Sequence, residues 1–340
     1  MCSTAILGRQ GRRILAFNFD YTLAQGLASF SVRGMSKENR TERTETSLAW
    51  KVAYRSVSFS SLCLEFPVAG INEAGLAASM MWHDGGDAGY SGNLPSLDPL
   101  HWVQYQLDTS AKVEDVLRSL NVVRPTSQGY PLHYVFLDQL GDIAIVEFAA
   151  GIPAVVRCPE VPVLTNGSYA PALDSWLTGV DPLEGERRTS LGRFSRLASS
   201  VKDYQREDVT PSEAFLLLES VRQGPTFSSD SSRTSASNIN RTVWSIVLDP
   251  TTLIAHFRTC LNPAVRQLHG AELAAEDGAK VLVMNIHDGE HGNASYSLQE
   301  YRREDNESLV IPSAESLGLD KTLQSRLLAV VDELYHQGSA

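Results

Sequence analysis

The chain has 340 residues, 43% of them hydrophobic, so it can bury a sizeable core as one large domain or two ordinary ones. Its formal net charge of −11 argues against nucleic acid as a partner, because backbone phosphates attract basic surfaces. No stretch is long and apolar enough to cross a bilayer, so insertion into a membrane is not expected.

Strand signals dominate the pattern of hydrophobic residues. In chain order, strands are predicted at residues 13–19, 51–65, 67–82 (broken by a turn at 72–75), 133–137, 143–148, 242–249 and 252–258. Between the first two, residues 33–46 are polar and of mixed charge, which favours a loop near the entrance of a site. Residues 227–240 are serine-rich and predict either a mobile loop that gates substrate or an ordinary surface linker.

The clearest helix start is a capping box at residues 210–213, with Pro211 at the first helical position. That helix is expected to run to Arg222, before Gly224-Pro225 ends it. Further helices are predicted at 110–120, 191–201 and 319–335. This arrangement suits two sheets covered by helices.

The start of the chain carries the chemistry. If Met1 is removed, Cys2 holds a thiol and a free α-amine, with ordinary pKa values near ~8.5 and ~7.7–8.0. The amine can then take the thiol proton, as in enzymes whose terminal amine replaces a histidine base. No charged segment followed by an apolar one precedes Cys2, so the sequence predicts a cytoplasmic protein without a signal peptide.

Four further motifs follow Cys2 in order. They are the runs Ala-Phe-Asn-Phe-Asp-Tyr at 16–21, Gly-Ile-Asn-Glu-Ala-Gly-Leu at 70–76, Val-Leu-Thr-Asn at 163–166 and Asn-Arg-Thr-Val-Trp-Ser at 240–245. With Cys2 they resemble the choloylglycine hydrolase family, which contains penicillin V acylases, bile salt hydrolases and acid ceramidase-like amidases. The resemblance spans nearly the whole chain. It implies one domain over residues 1–340 with an α+β, four-layer αββα sandwich of the N-terminal nucleophile type.

The resemblance also implies roles for single residues. Cys2 corresponds to the nucleophile and Asp20 to the carboxylate that orients the α-amine. Asn166 corresponds to a side-chain donor to the oxyanion, and Arg241 to a cation that favours the thiolate. The backbone N–H of Trp82 corresponds to a second oxyanion donor.

Two positions depart from the family pattern. Many members have an arginine where this chain has Phe17, so a cation beside the thiol is expected to be missing. Trp82 stands where an asparagine or tyrosine is common. Phe17, Met81 and Trp82, with Met80, therefore predict an apolar or aromatic acyl pocket, and a bile salt is disfavoured as the substrate.

Cofactors are not expected. The four cysteines form no Cys-x-x-Cys pair, and the closest groups of histidines lack the spacing of zinc ligands. His287 and His291, four residues apart, lie in a glycine-rich turn rather than on a helix. No phosphate-binding glycine motif occurs.

The sequence therefore predicts a cofactor-free hydrolase that cleaves the C–N bond of a linear N-acyl amide through a thioester on Cys2. Penicillin V-like compounds, acyl-homoserine lactones and fatty acyl amides are favoured over bile salts. Two alternatives stay open: an acyltransferase, in which a second amine intercepts the thioester, and a binding protein that has lost its chemistry. The resemblance is the only basis for expecting a homodimer or homotetramer.

Overall fold

The structure is a computed structural model. It describes residues 1–9, 11–39, 48–87, 94–125, 130–179, 188–204, 206, 208–224, 241–270 and 280–336. Within these residues it contains twenty strands and seven α-helices.

The strands are β1 Cys2–Arg9, β2 Arg12–Tyr21, β3 Leu27–Phe30, β4 Ser36–Glu38, β5 Ala49–Lys51, β6 Ser56–Ser60, β7 Pro67–Asn72, β8 Ala77–Trp82, β9 Ser96–Leu97, β10 Arg124–Pro125, β11 Leu132–Leu137, β12 Ile143–Ala149, β13 Ile152–Arg157, β14 Val163–Thr165, β15 Arg241–Asp249, β16 Ile254–Thr259, β17 Arg266–His269, β18 Leu282–Asn285, β19 Gly292–Asn293 and β20 Gln299–Glu300. The helices are α1 Trp102–Thr109, α2 Val113–Ser119, α3 Tyr169–Leu177, α4 Ser190–Asp203, α5 Pro211–Ser220, α6 Arg303–Leu317 and α7 Lys321–His336.

Two large sheets form the centre of the molecule. One has seven strands in the order β14-β1-β2-β15-β16-β17-β19, and the other has nine in the order β13-β12-β11-β8-β7-β6-β3-β18-β20. The short pairs β9/β10 and β4/β5 stand apart from them. Most neighbouring strands are antiparallel, which suits their short connections along the chain.

The sheets pack face to face between helices. Strands β1 and β2 lie against β8, and β15 lies against β7. Helix α1 covers β7 and β8 from outside, while α4 covers β1 and β14, and α5 covers β2 and β15. The result is a four-layer αββα sandwich, as the sequence predicted. Thr4 and Ser79 join the two sheets through a 3.0 Å contact between their buried hydroxyls.

Several predicted elements are confirmed with small changes in length. Helix α5 begins with the capping box, in which the Thr210 and Glu213 side chains each bond the other's backbone N–H, and it ends at Ser220 rather than Arg222. Helix α4 is longer at both ends than predicted. The hairpins β7/β8, β11/β12 and β15/β16 follow the predicted pattern.

Three predictions need correction. The predicted strand at 51–65 is much shorter, because Ser60 Oγ donates to the carbonyl of Leu64 and closes a turn. The predicted loop at 33–46 contains β4, and its residues 40–46 lie outside the described ranges. Helix α1 was not predicted, because its buried side chains include Gln104, Gln106 and Asp108, which interrupt the apolar stripe.

A smaller apolar cluster joins the C-terminal helices to the nine-stranded sheet. It includes Leu309 of α6, Val331 of α7, and Leu64 and Phe66 beyond β6. Helix α6 escaped prediction because it is polar and contains Pro312. Among the described residues, no helix combines the length and apolar character needed to span a bilayer.

Candidate active site

Cys2 is the first residue of β1 and lies between β14 and β2. Its Cα partner on β2 is Phe19, and its side chain is 5% exposed. Its backbone nitrogen donates a 2.8 Å hydrogen bond to Oδ1 of Asn166, which follows directly after β14. The pairing of β1 with β14 thus brings together residues 164 positions apart in the chain.

The side-chain amide of Asn166 has a defined orientation. Its Oδ1 accepts from Cys2 N and from Nη2 of Arg193, each at 2.8 Å, and its Nδ2 donates to the carbonyl of Trp82, also at 2.8 Å. If the amide were flipped, its nitrogen would face the two donors and its oxygen would face the carbonyl of Trp82, so neither atom would have a matching partner. One N–H of Nδ2 is therefore engaged by Trp82, and the second is the one that could serve an oxyanion.

Asp20 lies near the end of β2 and is 2% exposed. Its Oδ1 accepts a 2.5 Å hydrogen bond from the hydroxyl of Thr242, but its buried Oδ2 has no hydrogen-bond partner among the described residues. Burial raises the pKa of Asp20 to about 6, against the opposing effects of Thr242 and of nearby positive charges. The α-amine of Met1 donates to the backbone carbonyl of Asp20 at 3.3 Å.

Arg193 of α4 is the residue that the sequence did not indicate. Its side chain is fully buried, and its Nη1 donates to the carbonyl of Cys2 and, at 2.7 Å, to Oγ of Ser3. The expectation that this site lacks a cation was therefore wrong: Phe17 occupies the position where a cation was expected, but α4 brings a guanidinium to the backbone of Cys2. No sequence signal marks it, because it lies 191 residues from Cys2 inside an ordinary helix.

Arg241 begins β15, where its Cα partner is Tyr21. It is half-buried and one residue before Thr242, whose hydroxyl binds Asp20. The sheet therefore places Arg241 at the same end as Asp20, as its predicted role requires, although within the described residues its side chain does not hydrogen-bond Cys2. The serine-rich segment that precedes it, including residues 227–240, lies outside the described part of the chain.

The predicted pocket residues differ in accessibility. Phe17 and Met81 are 0% and 2% exposed and belong to the main core, whereas Trp82 is 45% exposed at the end of β8. Met81 faces the space between the sheets, because it lies two residues from Ser79, whose hydroxyl contacts Thr4. Trp82 is thus the one of these three that a ligand can reach without rearrangement.

Burial raises the pKa of the Cys2 thiol, and the negative charge of Asp20 adds to this effect. The positive chain terminus and Arg193 act in the opposite direction. A thiol in this environment needs a nearby base and cation to ionise at neutral pH. The α-amine that Met1 removal would create on Cys2 N lies on the same residue.

A second polar group lies directly beside the site. His83, His133 and Glu147 are buried and place one ligand atom each within 4.8 Å of one another, a set that could hold a metal ion. However, the two imidazole rings are stacked, with centroids 4.5 Å apart and planes 12° from parallel. Lone pairs in parallel ring planes do not converge on one ion, so this arrangement fits a hydrogen-bonded network better than a metal site.

The contacts of this group are those of a structural network. His133 Nδ1 lies 3.1 Å from Glu147, whose carboxylate also accepts from the backbone N–H of Tyr169 at the start of α3. His83 Nε2 lies 2.8 Å from Oγ of Ser168. Burial lowers the pKa of both histidines.

A cavity of about 320 Å³ lies elsewhere, at the closed end of the β7/β8 hairpin. Its lining includes Ile71, Asn72 and Glu73, about five residues along β8 from Trp82, or roughly 17 Å. Its lining includes no cysteine, and its rim carries an ion pair between Lys280 and Glu300. We therefore take Cys2 and its neighbours, and not this cavity, as the candidate site.

Comparison with known proteins agrees with this geometry. The chain is 26% identical over 257 residues to a penicillin V acylase of Pectobacterium atrosepticum, which covers 64% of this chain and 67% of that protein. The solved structure of a penicillin V acylase from Agrobacterium tumefaciens matches with a TM-score of 0.72 at 24% identity, over 89% of this chain and 98% of that one. A variant of conjugated bile acid hydrolase from Clostridium perfringens matches with a TM-score of 0.66 at 17% identity, over 85% and 98% of the two chains. No family profile matches the sequence.

Two facing sheets between helical layers, with a cysteine at the start of a strand inside the sandwich, define the class of N-terminal nucleophile folds. Within that class, the chain is similar in sequence to a penicillin V acylase and in fold to a penicillin V acylase and a conjugated bile acid hydrolase.

Proposed function

We propose that this protein hydrolyses the C–N bond of a linear N-acyl amide, with Cys2 as the nucleophile once Met1 has been removed. The observation that carries the proposal is the 2.8 Å hydrogen bond from Cys2 N to Asn166, which holds the future α-amine beside the thiol it must deprotonate. Its homology to a penicillin V acylase supports the same reaction class.

In the proposed mechanism, the α-amine of Cys2 takes the thiol proton and the thiolate attacks the amide carbonyl. The free N–H of Asn166 and the backbone N–H of Trp82 stabilise the oxyanion that forms, a contribution of a few kcal/mol per donor in a dry site. The protonated α-amine then gives its proton to the leaving amine as the C–N bond breaks. Water attacks the resulting thioester and releases the acid.

Asp20 fits the role of orienting the α-amine. Its Oδ2 is buried without a hydrogen-bond partner among the described residues, which is costly unless the processed chain supplies a donor. With a pKa of about 6, its carboxylate is mostly ionised at neutral pH and can hold an ammonium group. Arg241, at the same end of the sheet, is proposed to favour the developing negative charge.

Met1 is placed where it can be removed. Its side chain is 41% exposed, and the residue that follows it, Cys2, is small. Its terminal nitrogen makes one long hydrogen bond, at 3.3 Å, to Asp20 O.

The substrate is proposed to carry an apolar acyl group. Trp82 offers an exposed indole on the residue whose backbone carbonyl binds Asn166, and Phe17 and Met81 lie buried in the apolar core. Phenoxyacetyl compounds such as penicillin V, acyl-homoserine lactones and fatty acyl amides fit this surface better than the bulky, hydroxylated ring system of a bile acid. The cytoplasmic location and the homo-oligomeric state stay predictions.

The experiment is a panel of N-acyl substrates from these four classes, assayed for release of the free amine. Wild-type protein should release it from at least one apolar N-acyl amide, and Cys2→Ala should release none. Cys158→Ala, which changes an exposed cysteine, is the matched control and should behave as wild type. Acyl transfer to an added amine in place of hydrolysis would indicate the acyltransferase alternative.

A further inference from the structure

Arg193 makes its contacts on both sides of the nucleophile. Nη1 donates to the carbonyl of Cys2, while Nη2 donates to Asn166 Oδ1, the same atom that accepts from Cys2 N. One planar guanidinium therefore ties the backbone of Cys2 to the amide that holds its nitrogen. Only an arginine fork offers two donors in this fixed geometry.

The charge of Arg193 is not matched by a direct ion pair. Its partners are carbonyl, hydroxyl and amide oxygens, and among the described residues no carboxylate lies within salt-bridge distance of it. A buried cation without a paired anion is unfavourable. The negative charges that act on it are those of Asp20, the Cys2 thiolate and Asp84, in decreasing order.

The usual position for a cation at this site is occupied by an apolar residue. Phe17 is fully buried on β2, with Thr4 as its Cα partner on β1. Because α4 packs on the outer face of β1 and β14, Arg193 reaches Cys2 from the helical layer instead.

We propose that Arg193 is the positioning residue of this site: it fixes Cys2 and Asn166 relative to each other and supplies the positive charge that the thiolate needs. The role rests on the proposed function, since it presumes that Cys2 reacts as a thiolate. Two observations support this role: Arg193 binds both Cys2 O and Asn166 Oδ1, and among the described residues no carboxylate is paired with it.

The test compares two substitutions that separate charge from geometry. Arg193→Lys keeps the cation but cannot bind Cys2 O and Asn166 Oδ1 at once, and Arg193→Gln keeps a donor but loses the charge. The first measurement is the pH dependence of iodoacetamide alkylation at Cys2, followed by the mass of the N-terminal peptide. The second is kcat and KM with the best amide substrate.

We expect the alkylation midpoint of Arg193→Gln to lie about one pH unit above wild type, and that of Arg193→Lys to stay within a few tenths of a unit. Both variants should lose at least tenfold in kcat, with KM changed less than threefold. Arg196→Gln, one turn further along α4 and bonded to Ser220 O, is the control and should match wild type in both measurements.

Equal midpoints in wild type and Arg193→Gln would overturn the electrostatic role. Should Arg193→Gln fail to fold, Arg193→Lys still decides the positioning role, because a wild-type kcat in that variant would overturn it. The alkylation assay needs no substrate, so it separates a failure of this proposal from a failure of the proposed amidase function.

Discussion

The backbone nitrogen of Cys2 lies 2.8 Å from Oδ1 of Asn166, across the pairing of β1 with β14. This contact makes Asn166 an acceptor for the future α-amine, in addition to the donor role that the family resemblance implies. It also means that substitutions at Asn166 can separate the two roles.

Asn166→Asp keeps both Oδ1 contacts but replaces the amide donor with a carboxylate oxygen. Asn166→Ala removes acceptor and donor together. If the donor stabilises the oxyanion, each variant should lose about 10²–10³ in kcat, with much smaller changes in KM. Steady-state kinetics with one amide substrate measure this. A large loss in Asn166→Ala alone would make Asn166 purely an anchor for Cys2, and an effect confined to KM would make it a binding residue.

Cys2→Ser should keep the fold and lose nearly all activity, because a hydroxyl is a much poorer nucleophile when an amine is the base. Thermal unfolding should stay within a few degrees of wild type, since the substituted atom is small. Turnover above about a tenth of the wild-type value would count against a thiol mechanism.

Asp20→Asn should stabilise the protein at neutral pH while lowering activity. The folded pKa of about 6 lies above the ordinary value near ~3.9, so the folded state binds more protons between these values. The free energy of unfolding of wild type therefore falls as pH rises through that window, by on the order of 2–3 kcal/mol in total.

The measurement for Asp20 is urea unfolding at pH 4, 5, 6 and 7. The advantage of Asp20→Asn over wild type should grow with pH and level off above pH 7. Asp208→Asn, which changes an exposed aspartate, is the control. A constant difference at all four pH values would show that Asp20 does not titrate in this range.

The stacked pair of His83 and His133 makes stability depend on pH in the opposite direction from Asp20. Burial lowers both pKa values, so the unfolded chain binds more protons below the ordinary value near ~6.5, and stability is lost as pH falls through that value. The charged groups that face the pair are Glu147 and Asp84.

His133→Gln should therefore reduce the loss of stability between pH 7 and pH 5, by up to about 1.4 kcal/mol per pH unit. The control is His291→Gln, an exposed histidine in the turn after β18. Identical pH slopes for wild type and His133→Gln would mean that the pair is not held neutral.

Trp82→Ala should change the ranking of acyl groups. Its side chain is 45% exposed and its backbone carbonyl binds Asn166. Each buried methylene contributes about 0.8 kcal/mol, so longer linear acyl chains should raise kcat/KM a few-fold per CH₂ until the surface is covered. The variant should lose activity on phenoxyacetyl amides and shift toward larger acyl groups. Leu140→Ala, at an exposed leucine in the β11/β12 turn, is the control. An unchanged ranking would leave the acyl site unassigned.

Much of the fold followed from local signals. The β7/β8 hairpin and the capped helix α5 carry their own turn and cap residues, so periodicity and capping chemistry were enough to place them. Helix α1 was missed because its buried Asp108 and Gln104 are balanced by partners elsewhere in the chain, among them Trp50 and Lys37. These partners are brought together only by the tertiary fold, so the sequence of α1 shows no hydrophobic periodicity that would reveal the helix.

The site residues also divide into those marked by local sequence signals and those that depend on tertiary contacts. Cys2, Asp20 and Asn166 were marked by short motifs, but Arg193 was not, because its role depends on α4 packing against β1. The network of His83, His133 and Glu147 was likewise invisible, since strand register alone brings Glu147 opposite His133. Residues that act through cross-layer contacts require the three-dimensional structure.

The most direct test of the central claim is the mass of the N-terminal peptide from active protein quenched in acid during turnover of an N-acyl amide. The account predicts a peptide that begins at Cys2, without Met1, and carries the acyl group as a thioester, and it predicts no such adduct in Cys2→Ala. An active enzyme that retains Met1, or an acyl group attached to any residue other than Cys2, would contradict it.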